Sequence, residues 1–506
     1  MPEKQTELQF FNARNGQLSC SADGRFLHSS FNPENEALRF VQSINTQFMP
    51  SAIILLGACL PWCVKYLREQ FSSSLLISVQ FDRRFEEYAD YWDSVFYVTD
   101  ADSAVCLSNG LFNLLGEEKL VTSLFLSWKA AEGIWPNQYK FSWEAIKSSM
   151  EKAQSILTTR NWFNIRWFTN TVKNLSLIKE YSLPERTSSN IIVTASGPSL
   201  TAAIPFLKKN RKSFILLAAS SSISTLLFND IVPDYCISTD GGWYATRHLR
   251  AYETDKRLKD VPLVISAESA VPSRITGSIP IILLTYGDGL ESILAEKTGI
   301  PSVSGLRNGT VSGTAAAFAA SLTTGNVYIC GLDLAPGKGF QHAEPNENDV
   351  ALFTGQTRIK TLESSYTSSR FGSGSLSIYR DWFSHQNEAF TSRVFRLISK
   401  NDRLEKLGTM QDVYIEELDL HKAAQPMCNK KTVLPDNDSI IKSYLTSICT
   451  SLENNPSDAK NSIWYSSLSL KRYINYLRMN SEKQKAELAL LVSETVSVIK
   501  EVISDV

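Results

Sequence analysis

Between residues 191 and 330 the chain repeats one pattern: a run of four or five mostly apolar residues, a short polar end, then enough chain for a helix. The runs lie at 191–195, 214–218, 235–238, 263–266, 281–284 and 327–330. A strand that is apolar on successive residues must be covered on both faces, and the fold that covers it is a parallel sheet between two layers of helices. The intervals 200–208, 221–229, 287–297 and 311–322 supply the covering helices. The pattern predicts a doubly wound, Rossmann-like α/β domain.

The flanks differ. Apolar runs beginning at Ser51, Ser74 and Ser94 predict a smaller parallel α/β unit. A helix over 143–182 follows, with Trp162, Phe163, Ile165, Trp167, Phe168 and Val172 on a broad apolar face. Pro184 and the polar residues to Asn190 punctuate the chain. The expected domains are therefore 1–183, an N-terminal α/β domain with a helical linker, 184–400, a central catalytic domain, and 401–506, a helical C-terminal region. Three domains suit 506 residues at about 150 residues each. In the last region Leu488, Leu491, Val492, Thr495, Ile499, Val502 and Val506 recur at three- and four-residue steps. That stripe docks on a neighbouring domain or makes a self-association surface.

Composition narrows the partners. Lys plus Arg is 51 against 52 for Asp plus Glu, a net charge of -1, which gives a nucleic-acid polyanion nothing to bind. No apolar stretch approaches the ~20 residues of a spanning helix, and residues 1–20 lack the apolar centre of a secretory signal. The expectation is a soluble, cytoplasmic protein. Eight dispersed cysteines, with Cys59 and Cys63 four apart, read as free thiols rather than disulfides or a zinc site. Gly57-Ala-Cys-Leu-Pro-Trp lacks the other glycines of a dinucleotide fingerprint. Asp100-Ala-Asp102 has the form of a transferase metal motif, though acids at that spacing also arise by chance at strand ends.

In a doubly wound sheet ligands sit beyond the carboxyl ends of the strands. Those ends carry Ser196-Gly197-Pro198-Ser199, Ser220-Ser221-Ser222, Thr239-Asp240-Gly241-Gly242, Ala267-Glu268-Ser269, Thr285-Tyr286-Gly287-Asp288 and Gly331-Leu332-Asp333. Small and hydroxylated residues at so many ends predict a binding crevice, although turn chemistry alone favours them at any one. Two helix starts suit an anion: Ser199 before Leu200, and Asn308-Gly309-Thr310-Val311-Ser312-Gly313 before an alanine-rich helix. Neither is a Walker loop, so an ATPase P-loop is excluded.

These segments resemble a family. Ser196-Gly-Pro-Ser-Leu200, Ser238-Thr-Asp-Gly-Gly242, Gly309-Thr-Val-Ser312 and Cys330-Gly-Leu-Asp-Leu-Ala335 look like the motility-associated factor (Maf) flagellin glycosyltransferases and, more distantly, the bacterial CMP-sialic-acid sialyltransferases. The resemblance spans roughly 160–400. It implies transfer of a nonulosonic acid of pseudaminic or legionaminic type from a CMP-activated donor to Ser or Thr of flagellin, with inversion and without a required cofactor. Donor contacts would fall on Ser196, Gly197, Pro198, Ser199, Ser220, Asp240, Gly241, Asn308, Thr310, Ser312, Gly313 and Asp333. Ser196 departs from the sialyltransferase loop, which has Asn there, and no tyrosines follow Asp333 to support the leaving phosphate. The Maf pattern instead brings a histidine soon after that strand, and Gln341-His342-Ala343 fits.

A general base must take the acceptor's proton. The five histidines are 28, 248, 342, 385 and 421, and His342, then His248, stand nearest the predicted strand ends, with Asp240 as the third candidate. A Ser/Gly-rich stretch at 364–375, holding Arg370, has the composition of a closing loop or of a mere surface loop. Two other readings compete: a magnesium-dependent 6-hydroxymethylpterin diphosphokinase with Asp240 and Asp333 as metal ligands, and a non-catalytic nucleotide-sugar binding protein.

Overall fold

A computed structural model describes residues 6–334, 342–361, 364, 374–420, 423–425, 429–433 and 436–505. The chain forms two compact units, one of residues up to Phe163 with Leu452–Ser497, the other of Asn164–Ser451 with the last residues. The division falls inside one continuous helix, Pro136–Leu177, upstream of the Pro184–Asn190 stretch.

The first unit opens with a small antiparallel sheet, β1 (Leu8–Asn12), β2 (Leu18–Ala22) and β3 (Arg25–Phe26). Its core is a parallel sheet of β4 (Ala52–Leu56), β5 (Leu75–Gln80), β6 (Ser94–Tyr97) and β7 (Leu124–Ser127), in the order β6-β5-β4-β7. All five residues of β4 are buried, as its unbroken apolar run requires. The strands expected from Ser51, Ser74 and Ser94 are these; β7, with its polar flanks, gave no such signal. Asp100 caps the helix Ala101–Val121, accepting the Ser103 N–H at 2.8 Å while Ser103 reaches back to the cap. The Asp-Ala-Asp sequence is thus a capping box, the structural alternative to a metal motif.

The second unit carries an eleven-stranded sheet. Its strands are β8 (Glu180–Pro184), β9 (Ile191–Thr194), β10 (Ile215–Ala219), β11 (Tyr235–Ser238), β12 (Leu263–Ser266), β13 (Ile281–Thr285), β14 (Ser302–Ser304), β15 (Val327–Cys330), β16 (Val394–Ile398), β17 (Asp412–Tyr414) and β18 (Asn429–Val433). The order is β17-β16-β15-β9-β10-β11-β12-β13-β8-β18, with β14 also beside β13. Only β18 against β8 is antiparallel. All six expected strands are present and parallel, and helices Leu200–Lys209, Ile223–Phe228, Leu290–Thr298 and Val311–Leu322 cover them. The alanine-rich helix lies directly on β9, β10 and β15, where small side chains permit the close approach.

Some expectations change. Past the Ser/Gly-rich stretch, Glu388–Thr391 is a single helical turn and Val394–Ile398 is a strand. Arg396, the one charge in that strand, is 0% exposed and is neutralised by Asp412 on β17 at 2.7 and 2.9 Å. The aromatic face of the long helix is split, with Trp162 78% exposed while Phe168 and Val172 are buried. In the C-terminal helix Ser481–Asp505, Leu491, Thr495, Ile499 and Val502 are buried, so the stripe docks within the chain; Val506 lies outside the described residues. Of the seven described cysteines, six are buried and Cys106 is exposed. No described helix is long and apolar enough to cross a membrane.

Candidate functional site

The chain leaves β9 toward β10 and β11 on one side and returns through β15 to β16 and β17 on the other. The gap between the carboxyl ends of β9 and β15 is therefore the topological switch point, where such sheets bind ligands. Here Ala195 N–H donates to Cys330 O at 2.9 Å and Gly197 N–H to Gly331 O at 2.8 Å. A Cβ on Gly197 would lie 2.6 Å from Gly331 O and 2.7 Å from Asp333 Cγ. Only glycine lets the two loops cross. Asp333 then reaches Ser199: its Oδ2 accepts the backbone N–H at 3.0 Å and its Oδ1 accepts the hydroxyl.

Ser199, at the start of the helix Leu200–Lys209, makes no side-chain cap bond. The N–H groups of Leu200, Thr201 and Ala202 turn back onto Gly197, Pro198 and Ser199 carbonyls at 3.0 to 3.1 Å. Burial raises the Asp333 pKa, a shift opposed by both Ser199 bonds and reinforced by Asp402. Pro198, Ser199, Thr201, Ala202, Asp333, Asp402, Arg403 and Leu404 line a cavity of ≈ 490 Å³ beside this crossing.

The neighbouring strand ends hold the histidines. Ala343 N–H donates to Ser196 O at 2.8 Å, and Thr225 Oγ1 donates to Ala343 O at 2.9 Å. Asn346 Nδ2 donates to Ser221 O at 2.8 Å. These bonds tie the segment after β15 onto the ends of β9 and β10, bringing His342 close enough to His248 to disfavour a charge on His248. His248 Nε2 lies 3.2 Å from Asn348 Nδ2. Burial, with smaller contributions from His342 and Arg247, lowers the His248 pKa to about 4; burial alone lowers that of His342. Nδ1 of His342 is buried without a hydrogen-bond partner among the described residues.

At the second helix start Thr310 is the cap, its Oγ1 accepting Gly313 N–H at 2.9 Å. Asn308 Oδ1 accepts Thr310 N–H at 3.0 Å, and a Cβ on Gly313 would lie 2.6 Å from Asn308 Nδ2. The N–H groups of Val311 and Ser312, at the positive end of the helix dipole, stay outside that cap. Asp240 and Gly241 have other work. Asp240 is exposed, its Oδ1 accepting Gly242 N–H at 2.7 Å in a local turn. Gly241 accommodates Trp167, whose ring a Cβ would meet at 2.6 Å. Ser220 is buried at the start of the turn after β10. Residues 335–341, Arg370 and most of the Ser/Gly-rich stretch lie outside the described residues.

Sequence reasoning passed over an arginine. Arg307 holds Glu268 at 2.8 and 3.2 Å and Asp288 at 3.0 Å through two nitrogens, and lies 4.2 Å over the Tyr286 ring. Burial raises the Glu268 pKa, and Arg307 opposes that rise. The only signal was its place immediately before Asn308. Also missed were Asn170 and Asn174, one helical turn apart, which clamp the loop after β12: Asn170 donates to Glu268 O at 2.9 Å, Asn174 to Ala267 O and Ser269 O at 2.9 and 2.8 Å.

The fold has a solved counterpart. The MAf glycosyltransferase from Magnetospirillum magneticum AMB-1 superposes on 99% of this chain and 92% of its own, with a TM-score of 0.60 and 12% identity. The fold is that of a Maf glycosyltransferase. A family model described as 6-hydroxymethylpterin diphosphokinase MptE-like matches residues 165–339. An uncharacterized protein from Treponema pallidum (strain Nichols) is 31% identical over 281 residues, which span 56% of this chain and 61% of that relative.

Proposed function

We propose that the chain is an inverting protein O-glycosyltransferase that moves a nonulosonic acid from a CMP-activated donor to a Ser or Thr hydroxyl of flagellin. The observation that carries this reading is the crossing of Ser196–Ser199 with Gly331–Asp333 at the switch point, beside His342 and His248, in a chain with the Maf fold. In the reaction the acceptor oxygen bonds to the anomeric carbon as the bond from that carbon to the CMP phosphate breaks. The electron pair stays on the phosphate, and the hydroxyl proton goes to His342. A base must be unprotonated to act, and burial keeps His342 so near neutral pH. The dipole and N–H groups of the 310–313 helix start would hold the donor's phosphate or carboxylate. The chemistry draws on no bound cofactor.

The test is thermal stabilisation by CMP, with and without EDTA, followed by transfer to flagellin. CMP at about 100 times its Kd adds ~2.7 kcal/mol and is indifferent to EDTA. His342→Gln lowers the transfer rate by about 10² to 10⁴-fold while CMP still stabilises. Unchanged transfer by His342→Gln would remove it as the base.

The diphosphokinase reading rests on the match over residues 165–339. It asks Asp240 and Asp333 to share a magnesium ion. They follow strands three positions apart, roughly 14 Å along the sheet, and both Asp333 oxygens already serve Ser199. Stabilisation by ATP only with Mg²⁺ would favour that enzyme all the same. No stabilisation by CMP, CDP, UDP, ADP or ATP would favour a non-catalytic role.

A further inference from the structure

Immediately after the Asp240 turn the chain presents two aromatic rings to solvent. Trp243 is 61% and Tyr244 62% exposed. They meet edge to face at 5.5 Å, and the Arg247 guanidinium lies over both, 4.6 and 5.1 Å from their centres. Among the described residues no carboxylate is within ion-pair distance of Arg247. The next residue is His248, bonded to Asn348 and electrostatically coupled to His342. Val350, on the adjoining helix Glu347–Thr354, is exposed as well.

Single exposed aromatics are ordinary, but two adjacent rings in contact with each other and with a guanidinium form a contiguous patch of the kind that marks a contact surface. A small donor does not supply one, because ligand pockets enclose about 70–90% of such a molecule and these rings lie open. The composition is that of a protein contact: Trp, Tyr and Arg are the side chains enriched where single residues dominate binding. Stacking holds the guanidinium flat and leaves its edge free for carbonyl or carboxylate oxygens. The place is what an acceptor needs, since the same short segment that bears the rings bears His248, which lies beside the proposed base His342.

We propose that Trp243, Tyr244 and Arg247 form the landing surface for the acceptor polypeptide, gripping the residues next to its reacting hydroxyl. This rests on the transferase reading. The acceptor segment would set an apolar side chain on the rings and backbone carbonyls or an acidic group against Arg247.

The experiment compares wild type with Trp243→Ala, Arg247→Ala and Trp243→Phe, using unglycosylated flagellin as acceptor and CMP as the nucleotide probe. Trp243→Ala and Arg247→Ala should each lower kcat/KM for flagellin at least about tenfold, mainly through KM. Trp243→Phe should keep most of it, and CMP should stabilise all variants equally. Normal transfer by the alanine variants would overturn the proposal, as would an equal loss of CMP stabilisation, which would assign the rings to the donor. A change of oligomeric state in Trp243→Ala, read by light scattering, would overturn it in favour of contact between copies. Failure of the wild-type protein to modify flagellin would instead sink the transferase reading, and the landing surface with it.

Discussion

The two parallel sheets of this chain share a topology and differ in what stands at its critical point. In each, one strand lies between an early neighbour and a late one: β4 between β5 and β7, β9 between β10 and β15. Each therefore has a switch point at the carboxyl end of that strand, and each follows it with a glycine. In the first unit the gap is filled. A Cβ on Gly57, whose φ is +67°, would lie 2.4 Å from the Ala131 Cβ and 3.1 Å from the Phe81 ring. Trp128 packs against His28, ring centres 4.9 Å apart and tilted by 36°, and donates from Nε1 to Leu27 O at 2.7 Å. His28 Nε2 accepts Leu60 N–H at 3.1 Å, and Gln80 satisfies both the N–H and the carbonyl of Cys59. In the second unit the corresponding glycine admits a carboxylate, and polar residues line a cavity beside it. The same topology makes a packed core in one unit and a candidate site in the other. Topology says where a ligand can bind; the side chains there decide whether one does.

This contrast is open to attack. The largest effect is expected in the filled sheet, where Trp128→Ala should cost the first unit about 3–5 kcal/mol without altering CMP binding. Chemical denaturation with a CMP titration checks both halves, and loss of CMP binding would show that the first unit serves the ligand after all. In the open sheet, Gly197→Ala drives a methyl into Gly331 O and Asp333. It should remove the CMP stabilisation of ~2.7 kcal/mol at a smaller cost in denaturant midpoint. Retention of that stabilisation would move the nucleotide away from the switch point.

The smallest effect is in acid. His28 falls to about 3 and His248 to about 4, in both cases because burial disfavours the charged form. An unfolded histidine titrates near 6.5, so between that value and the folded pKa the unfolded chain binds more protons. Stability from each is therefore complete above about pH 6.5 and declines as pH falls toward the folded value. His28→Gln should flatten the acid limb of the first unit's unfolding, and His248→Gln that of the second. A limb unchanged in both variants would assign it to carboxylates instead.

Much of the fold was legible because it is written locally. The runs at 214–218 and 281–284 are apolar on every residue, and that alone demands cover on both faces. β16 was not legible. Its arginine breaks the apolar run, and its neutralisation depends on Asp412 of the adjoining strand, which the spacing does not announce. In the candidate site, Gly197, Ser199, Asp333, Asn308, Thr310 and Gly313 could be singled out because small and hydroxylated residues at strand ends carry a local signal. Arg307 and the two asparagines of the long helix could not. Their partners lie on other strand ends, 98 residues away for Asn170 and Glu268.

The sequence by itself determined the strands, the covering helices and therefore the edge at which a ligand would bind. Hydrophobic burial sets these through patterns only a few residues long. Which side chains meet at that edge was decided by the tertiary structure alone. Ser199 and Asp333 stand 134 residues apart and touch because β9 and β15 are neighbours in the sheet and Gly197 has no Cβ. Asp240, with equal promise in the sequence, is turned onto its own backbone. A hydrogen bond is directional and acts over about 3 Å, so its partners are chosen only once the whole chain is folded.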